Sequence, residues 1–246
     1  MAIALYLAMT SAEFRYFGGM TPSPAWMACH FSPYATGLSN LPDHLPEGSL
    51  LIVNDRTPVS GHDPALICDQ ISTLMERFSC GGILMDFQRE GETQTRAIAE
   101  AIAALPYPTA VTPAYAEGLP CGVFLPPIPL TTLPQAYVAP WQGREIWLEV
   151  ATEAYTIRID KEGNHRLPSS KSVDFYPHTD PQLHCSYAIA PQKEYVDFHL
   201  HRAWENLSAL MEACSALGVS RYVGLYQQLG SSACQALAQD TALPQS

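Results

Sequence analysis

The sequence predicts an α/β protein: a lean, irregular TIM-type (β/α)8 barrel with an antiparallel β insertion at about residues 151–200, before the last helix–strand unit. Three observations lead there. With the insertion set aside, eight short strand-like segments begin near residues 3, 24, 49, 82, 109, 122, 145 and 221. Clear helical periodicity falls in gaps between them, as crossovers between parallel strands require. In several strands one face is apolar while the other gathers small, aromatic and polar residues. That alternation fits an outer wall under helices and a lumen that turns polar at its C-terminal end. Residues 1–246 are thus read as one barrel domain carrying the insertion. A Rossmann-like fold fits less well, because no glycine-rich phosphate turn follows any early strand.

Taken in order, Ile3 to Ala8 is the first expected strand and Pro24 to Phe31 the second. The loop from Ser32 to Gly48 is rich in Pro, Gly, Asn and Asp, and Ser49 to Asp55 is the third strand. Leu66, Ile67, Ile71, Leu74 and Phe78 share one face of a helix from Pro64 to Phe78, with Asp63 as N-cap and proline in the first turn. The strand ending near Asp86 follows, then a helix over Thr93 to Leu105 and short strands at Thr109–Thr112 and Gly122–Pro126. Glu145 to Val150 alternates as another strand. Tyr155 to Ile159 then meets a turn at Lys161 to Asn164, and after a polar linker from Leu167 to Pro181, Leu183–Ala190 and Tyr195–Leu200 form a second antiparallel pair. A helix from Arg202 to Leu217 ends at Gly218, and Arg221 to Gln227 closes the strand count.

Composition narrows the partners. The chain has 246 residues, 47% hydrophobic, 15% charged, with 21 prolines and a net charge of -11. A charge of that sign repels phosphate backbones and anionic lipid, so neither nucleic acid nor membrane is an expected partner. The seven cysteines are odd in number and lack C-x-x-C spacing, which reads as buried thiols in a reducing compartment. The opening residues have no basic n-region and read as a strand, so a cytoplasmic location is expected, with secretion open if a leader precedes.

Function should collect where strand faces turn polar. The stretch Cys80 to Glu90 runs from two glycines through a short apolar strand into polar residues, with Leu84, Asp86 and Gln88 on one face. Matching positions on other strands are Tyr6, Trp26, His30, Asn54, Trp147, Glu149, Tyr226 and Gln228. Asp86 and Glu149 are the candidate catalytic carboxylates, and Tyr6, Trp26, His30, Asn54, Gln88, Trp147, Tyr226 and Gln228 the candidate ligand-binding residues. Plainer readings exist for each kind. Asp86 then caps a turn, Glu149 pairs with Arg144, and the aromatic residues only pack.

The segment Gly81 to Gln88 resembles the fourth-strand motif of family 18 glycoside hydrolases, the chitinase-like barrels, Asp-Gly-x-Asp-x-Asp-x-Glu. Gly82 and Asp86 match; Gly81, Leu84 and Gln88 stand where the family has Asp, Asp and Glu. The insertion after the seventh strand is also similar to that family's. The resemblance implies a carbohydrate-active barrel in which Asp86 sits beneath the sugar site and Gln88 occupies the general acid's place. Gln88 has no proton to give a leaving group, so acid catalysis of the family kind is impaired or absent. Acids on the fourth and seventh strands resemble instead the paired carboxylates of a different, retaining glycosidase clan.

Three readings therefore stand: a carbohydrate-active enzyme using Asp86 and Glu149, an inactive barrel that binds glycan or protein, and a metal-dependent hydrolase using the insertion. The last rests on Asp197, His199 and His201 on one strand face, with His178 and His184 nearby in sequence. No cofactor is expected, since no spacing has metal-site form and surface alternation accounts for the histidines. The expected ligand is an oligosaccharide or another small polar molecule; oligomeric state is not legible.

Overall fold

The computed structural model describes residues 5–9, 24–32, 36–56, 61–89, 93–167, 173, 175–225 and 229. Along the chain the strands are β1 (Leu5–Met9), β2 (Pro24–Phe31), β3 (Leu38–Ser39), β4 (Leu50–Asn54), β5 (Gly82–Asp86), β6 (Thr109–Val111), β7 (Gly122–Leu125) and β8 (Ile146–Glu149). They continue as β9 (Glu153–Asp160), β10 (Gly163–Leu167), β11 (His178–Asp180), β12 (Cys185–Pro191), β13 (Val196–Arg202) and β14 (Val219–Leu225). The helices are α1 (Pro64–Phe78), α2 (Thr93–Ala103), α3 (Pro113–Ala116), α4 (Pro134–Val138) and α5 (Trp204–Ala216). Two compact units result: one of Met1–Pro126, Trp141–Glu149 and Gly218–Ser246, the other of Pro127–Pro140 and Val150–Leu217.

The first unit is the expected barrel. Strands β2, β4, β5, β6, β7, β8 and β14 follow one another in parallel, and β1 pairs with both β14 and β2, which closes the sheet. β3 adds a short antiparallel edge to β2. The pleat sends Leu51, Val53, Ile83 and Met85 outward, while Leu50, Ile52, Leu84, Ala110, Phe124 and Trp147 fill the lumen with Ala8 and Val223. Burial on both faces explains why these strands read as nearly continuous apolar runs. α1 forms where expected: the Asp63 carboxylate accepts from the Ala65 amide at 3.0 Å, and Ser79 ends the helix in the left-handed region. Its buried face is Ile67, Ile71, Leu74, Met75 and Phe78, with Leu66 exposed.

The second unit is an antiparallel sheet in the order β10-β9-β13-β12-β11. Leu130, Tyr155, Cys185 and Leu200 form its core. The buried Arg202 guanidinium donates to the carbonyls of Ile128 (2.5 Å), Leu183 (3.1 Å) and His184 (3.2 Å), so one side chain ties three segments. The polar linker expected from Leu167 to Pro181 contains one strand the sequence did not announce, β11, whose Thr179 pairs with Ser186 of β12. Among the described residues no helix is long and apolar enough to cross a membrane.

Candidate functional site

The site is built upward from the barrel floor. At the start of β5 a Cβ on Gly82 would lie 2.9 Å from the Pro108 carbonyl oxygen, 3.0 Å from Arg221 Nη1 and 3.1 Å from the Trp147 ring, so only glycine fits beneath the lumen. Arg221 lies over the Trp147 ring at 4.7 Å, and the indole donates to Glu145 at 2.8 Å. From this plug β5 runs through Leu84 to Asp86, which pairs in register with Asn54 of β4.

The three residues after β5 are held from both sides. The buried Asp55 carboxylate accepts from the Gln88 amide through one oxygen and the Arg89 amide through the other, each at 2.8 Å. Thr112 Oγ1 donates to the Phe87 carbonyl at 2.6 Å, and the Tyr115 hydroxyl donates to the Arg89 carbonyl. The Arg89 guanidinium donates back to the Asp55 carbonyl at 2.9 Å. Backbone held this way aims Gln88 reproducibly. Its side-chain amide donates to Asp86 Oδ1 at 2.5 Å.

Asp86, Gln88 and Glu149 line one cavity of about 220 Å³ with Arg56, and Phe124, Leu84, Ile52 and Val223 supply much of its apolar wall. A second cavity of about 200 Å³ shares Gln88, Phe124 and Glu149 and extends along Thr112, Pro113 and Pro126. Burial raises the Asp86 pKa, as does the nearby Asp55 charge, while the Gln88 amide and Arg56 act against the rise. Burial, followed by the charge of Asp86, pushes Glu149 up to about 7. Glu149 has no hydrogen-bond or ion-pair partner among the described residues. The plainer reading that pairs it with Arg144 fails, because that guanidinium is spent on the carbonyls of Ala116, Leu119 and Cys121 at 2.8, 2.9 and 2.6 Å.

The remaining candidates are placed differently. Tyr6 is half-buried against the lumen cluster. Trp147 is fully buried at the floor and does not line the mouth cavity. Asn54 is buried, its Oδ1 accepting from the Arg56 amide at 3.3 Å, and the half-buried His30 lies beside it in register. The backbone of Trp26 pairs with β1 and β4, while its side chain, like Tyr226 and Gln228, lies outside the described residues. Sequence reasoning missed Phe124 as a cavity wall. It placed Asp55 only at the end of the third strand, although it organises the loop that carries Gln88.

In the antiparallel unit, Arg158 grips both Asp197 oxygens at 2.9 Å, and His199 Nδ1 is 2.8 Å from Thr156 Oγ1. His201 stacks on Tyr176 with ring centroids 4.8 Å apart. Among the described residues no group of three or more His, Cys, Asp or Glu side chains is arranged to hold a metal ion, so the metal-hydrolase reading finds no support there.

No protein-family model matches the sequence, and no curated protein matches it. Solved structures do match. A family 18 chitinase from Cycas revoluta, solved with (GlcNAc)3, has 8% identity and a TM-score of 0.60, over 98% of this chain and 99% of that one. The chitinase-like agglutinin RobpsCRA from Robinia pseudoacacia has 12% identity and a TM-score of 0.60, over 97% and 99%. The spore cortex-lytic enzyme SleL from Bacillus cereus has 8% identity and a TM-score of 0.56, over 97% of this chain and 74% of that one. At these identities the likeness is one of fold.

Proposed function

We propose that this protein is a carbohydrate-binding barrel of the family 18 glycoside hydrolase kind, which holds a short oligosaccharide at its C-terminal mouth without that family's acid catalysis. The observation that carries the reading is the Gln88–Asp86 hydrogen bond, set in a loop clamped by Asp55, Thr112 and Tyr115. Cleavage of a glycosidic bond needs a proton on the departing oxygen. The group at the acid's place is an amide, and it is engaged with the neighbouring carboxylate. Among the similar structures, a Glu-to-Gln variant of a Nicotiana chitinase is solved with NAG4, and the Robinia protein is described as an agglutinin. The first agrees with a barrel of this fold that holds a sugar oligomer where a Gln has replaced a Glu. All six described cysteines are free thiols, which supports a reducing, cytoplasmic setting.

The test is calorimetry with chitooligosaccharides beside a chromogenic cleavage assay, on wild type and Gln88→Glu. Wild type is expected to bind without turnover. Restoring the acid should raise cleavage, since a positioned acid commonly contributes roughly 10²–10⁴-fold. Robust cleavage by wild type overturns the reading.

A second reading is favoured by one observation: Glu149, at about 7, shares a cavity with Asp86. Carboxylates whose surroundings separate their proton affinities are what a glycosidase with two acids uses. Wild-type cleavage that disappears in Glu149→Gln would select it.

A further inference from the structure

Charge in the mouth cavity does not balance. Its polar lining is Arg56, Asp86, Gln88 and Glu149. Arg56 and the Gln88 amide both favour the Asp86 carboxylate, although burial outweighs them. Glu149 receives neither kind of help among the described residues. Among the described residues, the neighbouring strands bring it none: β7 offers Phe124, and β14 offers Val223 in register. The next cation along β14, Arg221, is turned to the floor, where Nη1 donates to the Gly81 carbonyl at 3.0 Å and Nε lies 3.7 Å from Glu145. Among the described residues, one carboxylate of the cavity is therefore left without a partner, free to meet what the cavity receives. A neutral acetamido group brings no charge. An ammonium brings both the charge and the donors, and such bonds strengthen where walls exclude water.

We propose that the mouth pocket selects an amino sugar with a free ammonium group, a de-N-acetylated hexosamine unit seated with its ammonium against the Glu149 carboxylate. The inference rests on the reading of this pocket as an oligosaccharide site and names the sugar. One further feature agrees with it: the net charge of -11 draws a cationic oligomer toward the protein and repels an anionic one. Burial pushes the Glu149 carboxyl up to about 7, so a cation seated on it should favour the ionised form and release part of a proton.

The experiment is titration calorimetry at pH 6.5 with a glucosamine tetramer, its fully N-acetylated counterpart and spermidine, repeated in two buffers of different ionisation heat. The expected result for wild type is binding of the glucosamine tetramer about tenfold or more tighter than the N-acetylated one. That binding should weaken with salt and release part of a proton, and Glu149→Gln should remove the preference. Spermidine, an ammonium source without a sugar ring, should bind more weakly than either tetramer. Equal or tighter binding of the N-acetylated tetramer by wild type overturns the preference and leaves the oligosaccharide reading standing. Spermidine binding as tightly as the glucosamine tetramer also overturns it, and failure of both tetramers to bind overturns both readings. The wild-type comparison stands even if the variant folds poorly.

Discussion

Glu145 and Glu149 bracket one short strand of the barrel and share its lumen parity, yet they have opposite surroundings. Glu145, at the floor, is exposed and nonetheless engaged: the Trp147 indole at 2.8 Å, the Ser220 hydroxyl at 3.3 Å and Arg221 at 3.7 Å all approach one oxygen. Glu149, at the mouth, is half-buried and has no such partner among the described residues. A chain shaped for stability alone would do the reverse, since desolvating an unpaired carboxylate costs far more than leaving one in water. The floor thus pairs its acid, while the mouth, among the described residues, leaves its own unpaired.

The largest effect that separates the two ends should come from Trp147→Ala. Emptying that fully buried position is expected to cost about 3–5 kcal/mol in urea unfolding. A cost below about 1 kcal/mol, with sugar binding lost, would move Trp147 from scaffold to ligand wall.

Next, Asp55→Ala strips the partners from two backbone amides and should cost roughly 2–4 kcal/mol. Hydrogen exchange at Gln88 and Arg89 should quicken more than at β5 itself; uniform quickening would mean that Asp55 serves the barrel as a whole.

Glu149→Gln should act in the opposite direction, with a pH signature. The folded pKa, about 7, stands above the ordinary 4.5, so the folded state binds the extra proton. Wild-type stability from this group is complete below about 4.5 and is lost as pH rises through about 7. Glu149→Gln should therefore match wild type near pH 4 and exceed it at pH 8, by at most about 3 kcal/mol. No gain at pH 8 would show that the carboxylate is solvated after all. The smallest change belongs to Glu145→Gln, whose half-exposed pairing with Arg221 is worth less than about 1 kcal/mol in the same unfolding measurement.

Much of this was legible from alternation. Leu84, Asp86 and Gln88 were assigned one face of a strand, and the lumen cluster and mouth cavity hold them there. Parity gives the face of a strand but not its depth. Trp147 and Glu149 differ by one pleat repeat, roughly 6.6 Å of rise, which separates a buried plug from a cavity wall. Asp55 was hidden for another reason: nothing local ties it to Gln88, 33 positions away, because the link is made by backbone amides that any residue supplies. The β11 strand was hidden likewise, since three residues in a polar stretch become a strand only through pairing with β12.

The closure of the barrel has a consequence for how the chain is made. Its seam joins Leu5 to Tyr222 and Ala8 to Leu225, so β1 must wait for β14, which is synthesised much later. Strand β8 also waits, because its second neighbour arrives only after the whole antiparallel unit has been synthesised. Until then both present unpaired edges, and edges of this kind recruit other chains. A contact this distant in sequence makes ring formation slow as well. Expression yield should therefore respond to chaperone supply and growth temperature, and a chain stopped before Val219 should aggregate rather than persist as an open sheet.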